Sequence, residues 1–523
     1  MPLAKPTCVV ASLALLFAAT GCSTLPKQND TPPPRAALDT SATRLGLAAA
    51  PELAAHPGMS GYHPMNLGTD AFVARMLLAR AAERTLDVQY YDFHADQTGA
   101  AFIHELLAAA DRGVHVRLLL DDLHTSGRDD VLAAVDAHPN VEVRLFNPFV
   151  HRGARWLDFL TDFSRVNRRM HNKSMTADNQ MTVVGGRNIG DQYFAAPTEV
   201  EFSDFDVVAI GPVVSQVSAE FDNFWFSALT YTPASLKLGG KLSKDALAQA
   251  RQKLEKNIDS LKMTPYAKDL PSNDLARSLQ LHEVSLYWGG GAVIADEPRK
   301  VTLPPSDSTT HAMPKVEKIL EQAQHELILV SPYFIPRKDG LKWLQGIASR
   351  GVKVKILTNS TAANDVKIVS STYALYREEL LRSGIEIYEL KHTLAVHGGA
   401  GRQEKLPKAS RSSLHAKIYI ADTGTLFVGS MNLDPRSVDL NTEMGIMISS
   451  ETLGVAVRDG LVARLPEIAY RVELDTSKDP KGRLVWITQE NGSEVRLDSE
   501  PAVGFFGSVS RGLQQALPIE GLL

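Results

Sequence analysis

Cysteine is nearly absent: the 523 residues contain two, Cys8 and Cys22, both at the very start of the chain. The body therefore lacks the thiols for a disulfide framework or a cysteine-ligated metal. Basic excess is missing as well. Lys and Arg number 55 against 60 Asp and Glu, for a net charge of −5, so the broad electrostatic footprint of a nucleic-acid binder is not there, although a local basic groove remains open. The apolar run from Cys8 to Ala19 is too short for a comfortable membrane span, and no later run is long enough either. What remains, 44% hydrophobic and 22% charged, is ordinary globular composition, with length for about two to four domains that each bury a core.

The first residues, MPLAKPTCVVASLALLFAATGC, place a lysine before an apolar run that ends in small residues, the pattern of a signal peptide. AATGC resembles the lipobox of bacterial lipoproteins, with Ala19 where leucine is commoner and Cys22 as the lipidated residue. The plainer alternative is a secretory signal with an incidental cysteine. On the lipoprotein reading, residues 1–21 are removed and 22–65, rich in Pro and Ala, form a tether. The body is then anchored to a membrane of the bacterial envelope, facing the periplasm, without spanning it. Ser23 resembles the sorting pattern for the outer membrane, so inner or outer location stays open.

Beyond the tether the chain repeats itself. RGVHVRLLLDD (112–122) returns as RGVKVKILTNS (350–360), and VEVRLFNP (141–148) as IEIYELKH (385–392). TLDVQYY (85–91) has a looser echo in LILVSPYF (327–334). MHNKSMTADNQMTVVGGRNIG (170–190) returns as LHAKIYIADTGTLFVGSMNLD (414–434). His171 to His415 and Val141 to Ile385 are both steps of 244, which argues for two copies of one domain. In each copy helical spacing, then Arg-Gly, then a β-branched run reads as βαβ grammar with a largely buried sheet. The expected boundaries are 66–230 and 311–470 for the copies, 231–310 for a helical connector with a solvated face, and 471–523 for a C-terminal segment. That last segment holds a hairpin around Asn491-Gly492 and an apolar tail expected to pack on the body.

Chemistry concentrates in the longest repeat. If HNK and HAK lie on strands, His171 shares a face with Lys173 and His415 with Lys417, because side chains two apart point the same way. Asp178 and Asp422 follow in turn-like ADNQ and ADTG and complete the catalytic motifs as braces. Asn188 follows Gly185 and Gly186, and Asn432 follows Gly429 and Ser430. Glycine admits close approach to a ligand, and the amides and the Ser430 hydroxyl can bind phosphate oxygens. Packed about a pseudo-twofold axis, the copies bring together two His, two Lys and two Asn, the groups phosphodiester exchange requires. One imidazole attacks phosphorus, the other protonates the leaving alkoxide, and the cations stabilise the oxygens. No cofactor or metal is expected; His94, His104 and His124 show no ligand spacing.

The paired HxKxxxxD motifs resemble the phospholipase D superfamily. MHNKS, VGGRNIGDQYF, FSDFDVVAIGP, LTNSTAANDV, LHAKIYIAD and GSMNLDPRSVDLNTEMG resemble in particular the bacterial cardiolipin synthases of the C type, from about residue 66 to the end. The resemblance implies an α/β fold of two tandem, duplicated phospholipase D-type α/β/α domains. It implies transfer of a phosphatidyl group from phosphatidylethanolamine, through a phosphohistidine, onto phosphatidylglycerol. It makes His171 the nucleophile and His415 the general acid, with an acidic residue behind each ring: Asp204 or Asp206 for one, Glu443 for the other. A phospholipase D hydrolase is the nearest alternative and a nuclease of the superfamily a more distant one. A lipid-binding lipoprotein without catalysis fits less well, because both motifs keep every expected residue. Nucleic acid is not an expected partner.

Weaker signals remain. Residues 151–171 combine Arg152, Arg155, Arg165, Arg168 and Arg169 with Trp156, Phe159 and Phe163. They read equally as a segment lying in an anionic lipid interface or as a helix covering the sheet. Tyr90, Tyr91, Asp121, Asp122, Tyr333 and Asn359 fall at expected carboxyl ends of strands, where α/β proteins bind ligands.

Overall fold

A computed structural model describes residues 25–26 and 39–501, apart from 197, 199, 241–242, scattered positions between 271 and 283, 393–410, 478 and 491. Cys22, most of the leader and tether, and the tail after 501 lie outside the described residues.

The first half contains β1 (Ser60–Met65), β2 (Thr85–Tyr90), β3 (His115–Asp121), β4 (Val141–Phe146), β5 (Ser174–Ala177), β6 (Met181–Gly185), β7 (Val200–Ser203), β8 (Asp206–Ile210) and β9 (Thr230–Tyr231). Then comes β10 (Tyr287–Ala295). The second half contains β11 (Glu326–Val330), β12 (Lys353–Asn359), β13 (Glu386–Leu390), β14 (Arg411–Leu414), β15 (Ile418–Ala421), β16 (Thr425–Gly429), β17 (Met444–Ser449), β18 (Ala469–Asp475), β19 (Arg483–Glu490) and β20 (Ser493–Leu497). β4, β3 and β2 run parallel, and β5, β6 and β8 continue the sheet antiparallel. β13, β12, β11, β15, β16 and β17 repeat that order and those directions. The duplication seen in the sequence is thus a duplication of sheet topology.

Alternation along the buried strands decides what each face meets. Val116, Leu118 and Leu120 join one core with the helices Gly68–Ala81 and Gln97–Asp111, while Leu119 joins Phe221, Phe224 and Trp225 of the helix Pro212–Trp225 on the other side. The second half is layered likewise, with helices Met313–Leu320 and Arg337–Ser349 on its outer face. A third core belongs to both halves: Tyr62, Val184, Val207 and Val213 pack with Ile328, Val330, Ile418, Val428 and Ile446. At roughly 1.5–3 kcal/mol for each large aliphatic side chain taken from water, this seam makes the halves one folding unit.

The connector is part of that seam. Its helix Ala246–Lys262 packs on the first half, where Arg251 pairs with Asp111 at 2.8 Å. β10 pairs antiparallel with β1 through Tyr287–Gly289 and then with β17 through Gly290–Ala295. A Cβ on Gly291 would stand 2.0 Å from the Tyr62 hydroxyl, so only glycine lets this strand pass between the sheets. The strands flanking Asn491-Gly492 pair as β19 and β20. Among the described residues, no helix is long and apolar enough to cross a membrane.

Asp178 and Asp422 act on this framework. Both have positive φ, 51° and 49°, in the turns that end β5 and β15. The Asp178 carboxylate accepts the backbone N–H groups of Glu83, Arg84 and Thr85 at 2.7–2.9 Å. Asp422 accepts those of Gln324, His325 and Glu326 at 2.8–3.0 Å. Each locks the start of β2 or β11, at the far end of its own strand from the histidine, so neither belongs with the groups that meet substrate. Asp178→Ala strands three N–H donors and is expected to lower unfolding free energy by about 2–4 kcal/mol in denaturant titration. The KM of the folded enzyme should stay unchanged.

Candidate active site

His171, Lys173, His415 and Lys417 do not lie on strands: each HxK segment is extended backbone immediately before β5 or β15. What holds them is the opposite half. Met170 bridges Thr442 in parallel, and β14 pairs with β7 in parallel, placing Leu414 opposite Ser203. In both places the residue before the histidine meets the residue before an acid. The His171 N–H donates to Thr442 O at 2.8 Å and the His415 N–H to Ser203 O at 2.7 Å.

One step further along, the side chains meet. His171 Nδ1 lies 2.8 Å from Glu443 Oε2, and His415 Nδ1 lies 2.5 Å from Asp204 Oδ2. Each half supplies the carboxylate behind the other half's imidazole. A carboxylate there fixes Nδ1–H and leaves Nε2 to react. Asp204 takes this place, and Asp206 does not: it is buried against Arg75 at 3.0 Å and Arg187 at 3.3 Å. Gly185 and Gly186 serve this arrangement more than a ligand, since a Cβ on them would stand 2.0 Å from Asp206 Oδ1 and 2.2 Å from Asp204 Oδ1.

The phosphate-binding places expected for Asn188 and Ser430 change in the same way, and that for Asn432 does not. The Ser430 hydroxyl turns to Glu443 Oε2 at 2.5 Å, and Ser437 reaches Oε1 at 2.6 Å. Ser430 therefore braces the acid, because its proton is already committed. Asn188 accepts the Asp92 N–H and donates to the Tyr193 hydroxyl at 2.9 Å. Asn432 is buried, with Oδ1 left without a hydrogen-bond partner.

The lysines sit deep. Lys173 Nζ donates to His171 O at 2.8 Å, Lys417 Nζ donates to His415 O, and both residues are almost fully buried. Burial, only partly opposed by Glu443 and Asp204, pulls Lys173 down to about 7 and lowers Lys417. His171 is held well below its ordinary value, first by burial and then by Lys173, Lys417 and His415. His415 is lowered by burial and Lys417 against the opposing pull of Asp204. The two acids differ. Burial pushes Glu443 up to about 7. It acts on Asp204 as well, but His415, Lys417 and Arg187 outweigh it and keep that carboxyl ionised.

Asp121 and Asn359, at the ends of β3 and β12, clamp the residues before the histidines. Asp121 accepts the Met170 N–H at 2.8 Å, and Asn359 bonds both the N–H and the carbonyl of Leu414 at 2.8 and 3.0 Å. Their equivalence is visible in the repeat of RGV-headed strands. Tyr91 sets its ring edge against His171, with centroids 4.8 Å apart, whereas Tyr90 is a core partner of Arg75 and Tyr333 bonds Asp365. Tyr193 and Phe202 flank His415 at 5.3 and 5.2 Å, and Asp296 holds the Glu443 N–H at 2.7 Å. Tyr193 and Phe202 fall within the stretches VGGRNIGDQYF and FSDFDVVAIGP, among residues given no role from sequence, and Asp296 lies in no repeated stretch. His94 and His124 both face Asp92, at 2.7 and 3.9 Å.

Two lobes of equal topology, each providing an HxK segment and the other's carboxylate, define a two-motif enzyme of the phospholipase D type. The family described as "Cardiolipin synthase, PLD-like domain" matches residues 77–225 and 316–459, over half of the chain, and the chain belongs to it. It is similar to cardiolipin synthase C of Escherichia coli (strain K12), at 41% identity over 92% of this chain and 100% of that protein. It is also similar to cardiolipin synthase B of Shigella flexneri, at 25% over 73% and 75%. Among solved structures it matches the phosphatidylserine synthase of Haemophilus influenzae Rd KW20 with a TM-score of 0.51 and 13% identity, over 78% of this chain and 87% of that one. That is a likeness of fold.

The geometry separates the neighbouring aspartates by experiment. Asp204→Asn should lower kcat by roughly a thousandfold or more with unfolding midpoint little changed. Asp206→Asn, which leaves Arg75 and Arg187 short of a counter-charge, should cost about 3–5 kcal/mol of stability. Thermal melts and turnover of the folded fraction distinguish the two.

Proposed function

We propose that the protein transfers a phosphatidyl group between phospholipids to make cardiolipin, through a phosphohistidine on His171. The observation that carries this is the exchange of carboxylates between the lobes, which sets two unlike imidazoles in one buried, cationic site. His171 Nε2 attacks the donor phosphorus. The N–P bond forms, the P–O bond to the donor headgroup breaks, and the His415 Nε2 proton goes to the leaving oxygen. In the second half a hydroxyl of phosphatidylglycerol gives its proton to His415 and attacks phosphorus. The O–P bond forms and His171 leaves. Lys173 and Lys417 neutralise the phosphoryl oxygens in both halves. Asp204, ionised behind His415, supports the ring that must carry a proton. Glu443, drawn up to about 7, supports the ring that must be neutral to attack.

Phosphatidylethanolamine is the proposed donor. The amino-terminal segment is proposed to tether the body through Cys22 on the periplasmic side of the envelope, which keeps the site at its substrate. Purified protein given labelled phosphatidylethanolamine and phosphatidylglycerol should yield cardiolipin; phosphatidic acid as the sole product would mean that water is the acceptor and the enzyme a hydrolase. His171→Ala and His415→Ala should each lower turnover at least about 10⁴-fold. Retention of near wild-type activity by either variant sinks the two-histidine scheme.

The pH profile follows from the directions above. His171 attacks as the neutral base, and its pKa lies below the ordinary 6.5, so the acid limb of kcat/KM should fall well under that value. His415 must begin as the proton donor and its pKa is also lowered from 6.5, and Lys173 loses its charge toward about 7, so activity should already decline as pH rises toward neutrality. Rates of product formation measured from acid to mildly alkaline pH check both limbs.

A further inference from the structure

Large apolar side chains stand exposed at eleven described positions, and four of them fall within eight residues: Trp156 at 63%, Phe159 at 38%, Leu160 at 75% and Phe163 at 45%. Such clustering marks a contact surface, whereas scattered exposed residues do not. The segment that carries them is an excursion from the end of β4 to His171, with ends and underside tied down. The Asn147 amide donates to the carbonyls of Arg165 and Arg168 at 3.0 and 2.7 Å, and Arg169 donates to Asn147 O at 2.6 Å. His151 is fixed to Asp158 at 2.6 Å, and the buried Phe149 ring supports Phe159 from beneath at 5.5 Å.

The arginines do not share the outer face. Arg152 pairs with Asp122 and Asp129, Arg155 with Asp122, Arg165 with Asp162 and Arg169 with Asp121, while Arg168 donates to the carbonyls of Val301 and Leu303. Of the two readings the sequence left open, the anion-seeking one loses its cations to these pairings. The cations are held in ion pairs or on backbone carbonyls, and the outward surface is led by Trp156, Phe159, Leu160 and Phe163. The second half has a smaller counterpart: Val366 and Leu375, exposed at 36% and 53%, follow the end of β12. Both groups lie after the carboxyl ends of parallel strands, on the side of the sheets from which the chain runs into the histidine segments.

We propose that Trp156, Leu160 and Phe163 dock the enzyme on a phospholipid bilayer by entering its interfacial region. The inference rests on the lipid-acting reading of the site. A diacyl substrate keeps its chains in the bilayer while its phosphate reaches His171, so the rim beside His171 must itself meet the membrane. Trp and Phe with leucine suit that depth, and the partly exposed carboxylate among them, Asp162, is paired with Arg165 at 2.5 Å. Because the arginines are internally paired, attachment depends on apolar burial and persists at high salt.

The test uses the full chain with vesicles of phosphatidylethanolamine and phosphatidylglycerol containing some phosphatidylcholine brominated in its acyl chains. The fluorescence difference between the wild-type chain and Trp156→Phe should shift to the blue and be quenched by the bromines, at low and high salt alike. Leu160→Asp with Phe163→Asp should abolish that quenching in a chain that keeps Trp156. It should raise the apparent KM on vesicles at least about tenfold, with kcat on detergent-dispersed short-chain lipid within about twofold of wild type. A Trp156 signal that stays water-like and unquenched with vesicles overturns the proposal, as does an equal loss on vesicles and dispersed lipid. A concentration-dependent dimer that the aspartates dissolve, with no quenching, gives the surface to a second copy and overturns it too. Failure to turn over either lipid form while Trp156 still inserts would sink the reaction assigned above and leave the docking intact.

Discussion

The structure turns on two short parallel pairings across the lobes, Met170 with Thr442 and β14 with β7. Each is a few residues long, and each sets the register that puts a carboxylate behind an imidazole of the opposite lobe. Parallel pairing makes the two places equivalent: one residue beyond the pairing point on each side lie a histidine and an acid. Since side chains alternate across extended backbone, a slip of one residue would turn the acid away from the ring. Neither lobe therefore holds a complete site, even though each holds a complete motif.

That register depends on lobes that cannot slide. The shared core of Tyr62, Val184 and Val207 with Ile328, Val330 and Val428 gives the area, and β10, paired to a strand of each sheet, gives the alignment. Asp121 and Asn359 then fix the backbone just ahead of each histidine. Close packing transmits these constraints to the side chains. The rings of Tyr91, Tyr193 and Phe202 against the imidazoles complete them.

Electrostatics explains why the buried site needs both lobes as well. Two ammonium groups and two imidazoles taken from water are costly unless paired, and the charges that offset them, Asp204 and Glu443, come one from each half. The compensation is unequal. Asp204 stays ionised among His415, Lys417 and Arg187, whereas burial draws Glu443 up to about 7 against the opposing pull of Lys173 and of the Ser430 and Ser437 hydroxyls. Topologically equivalent histidines thereby sit in different fields, the asymmetry that the proposed division between nucleophile and acid requires.

By itself the sequence determined that the chain is a duplicated α/β protein, that the HxK residues are paired at a step of 244, and that Asp178 and Asp422 close turns. Periodicity, repeats and turn chemistry are local properties, carried by the order of residues. The choice of Asp204 over Asp206, the turn of Ser430 from phosphate to Glu443, and the pairing of Arg152, Arg155 and Arg169 with Asp121, Asp122 and Asp129 came from the folded chain alone. Those outcomes depend on which side chains meet across the lobe seam and under the loops, and a partner more than 200 residues away (His415 from Asp204, |i−j| of 211) leaves no mark on its neighbours in sequence. The motif names the paired histidines and lysines, and the packing of one lobe on the other decides how each is held.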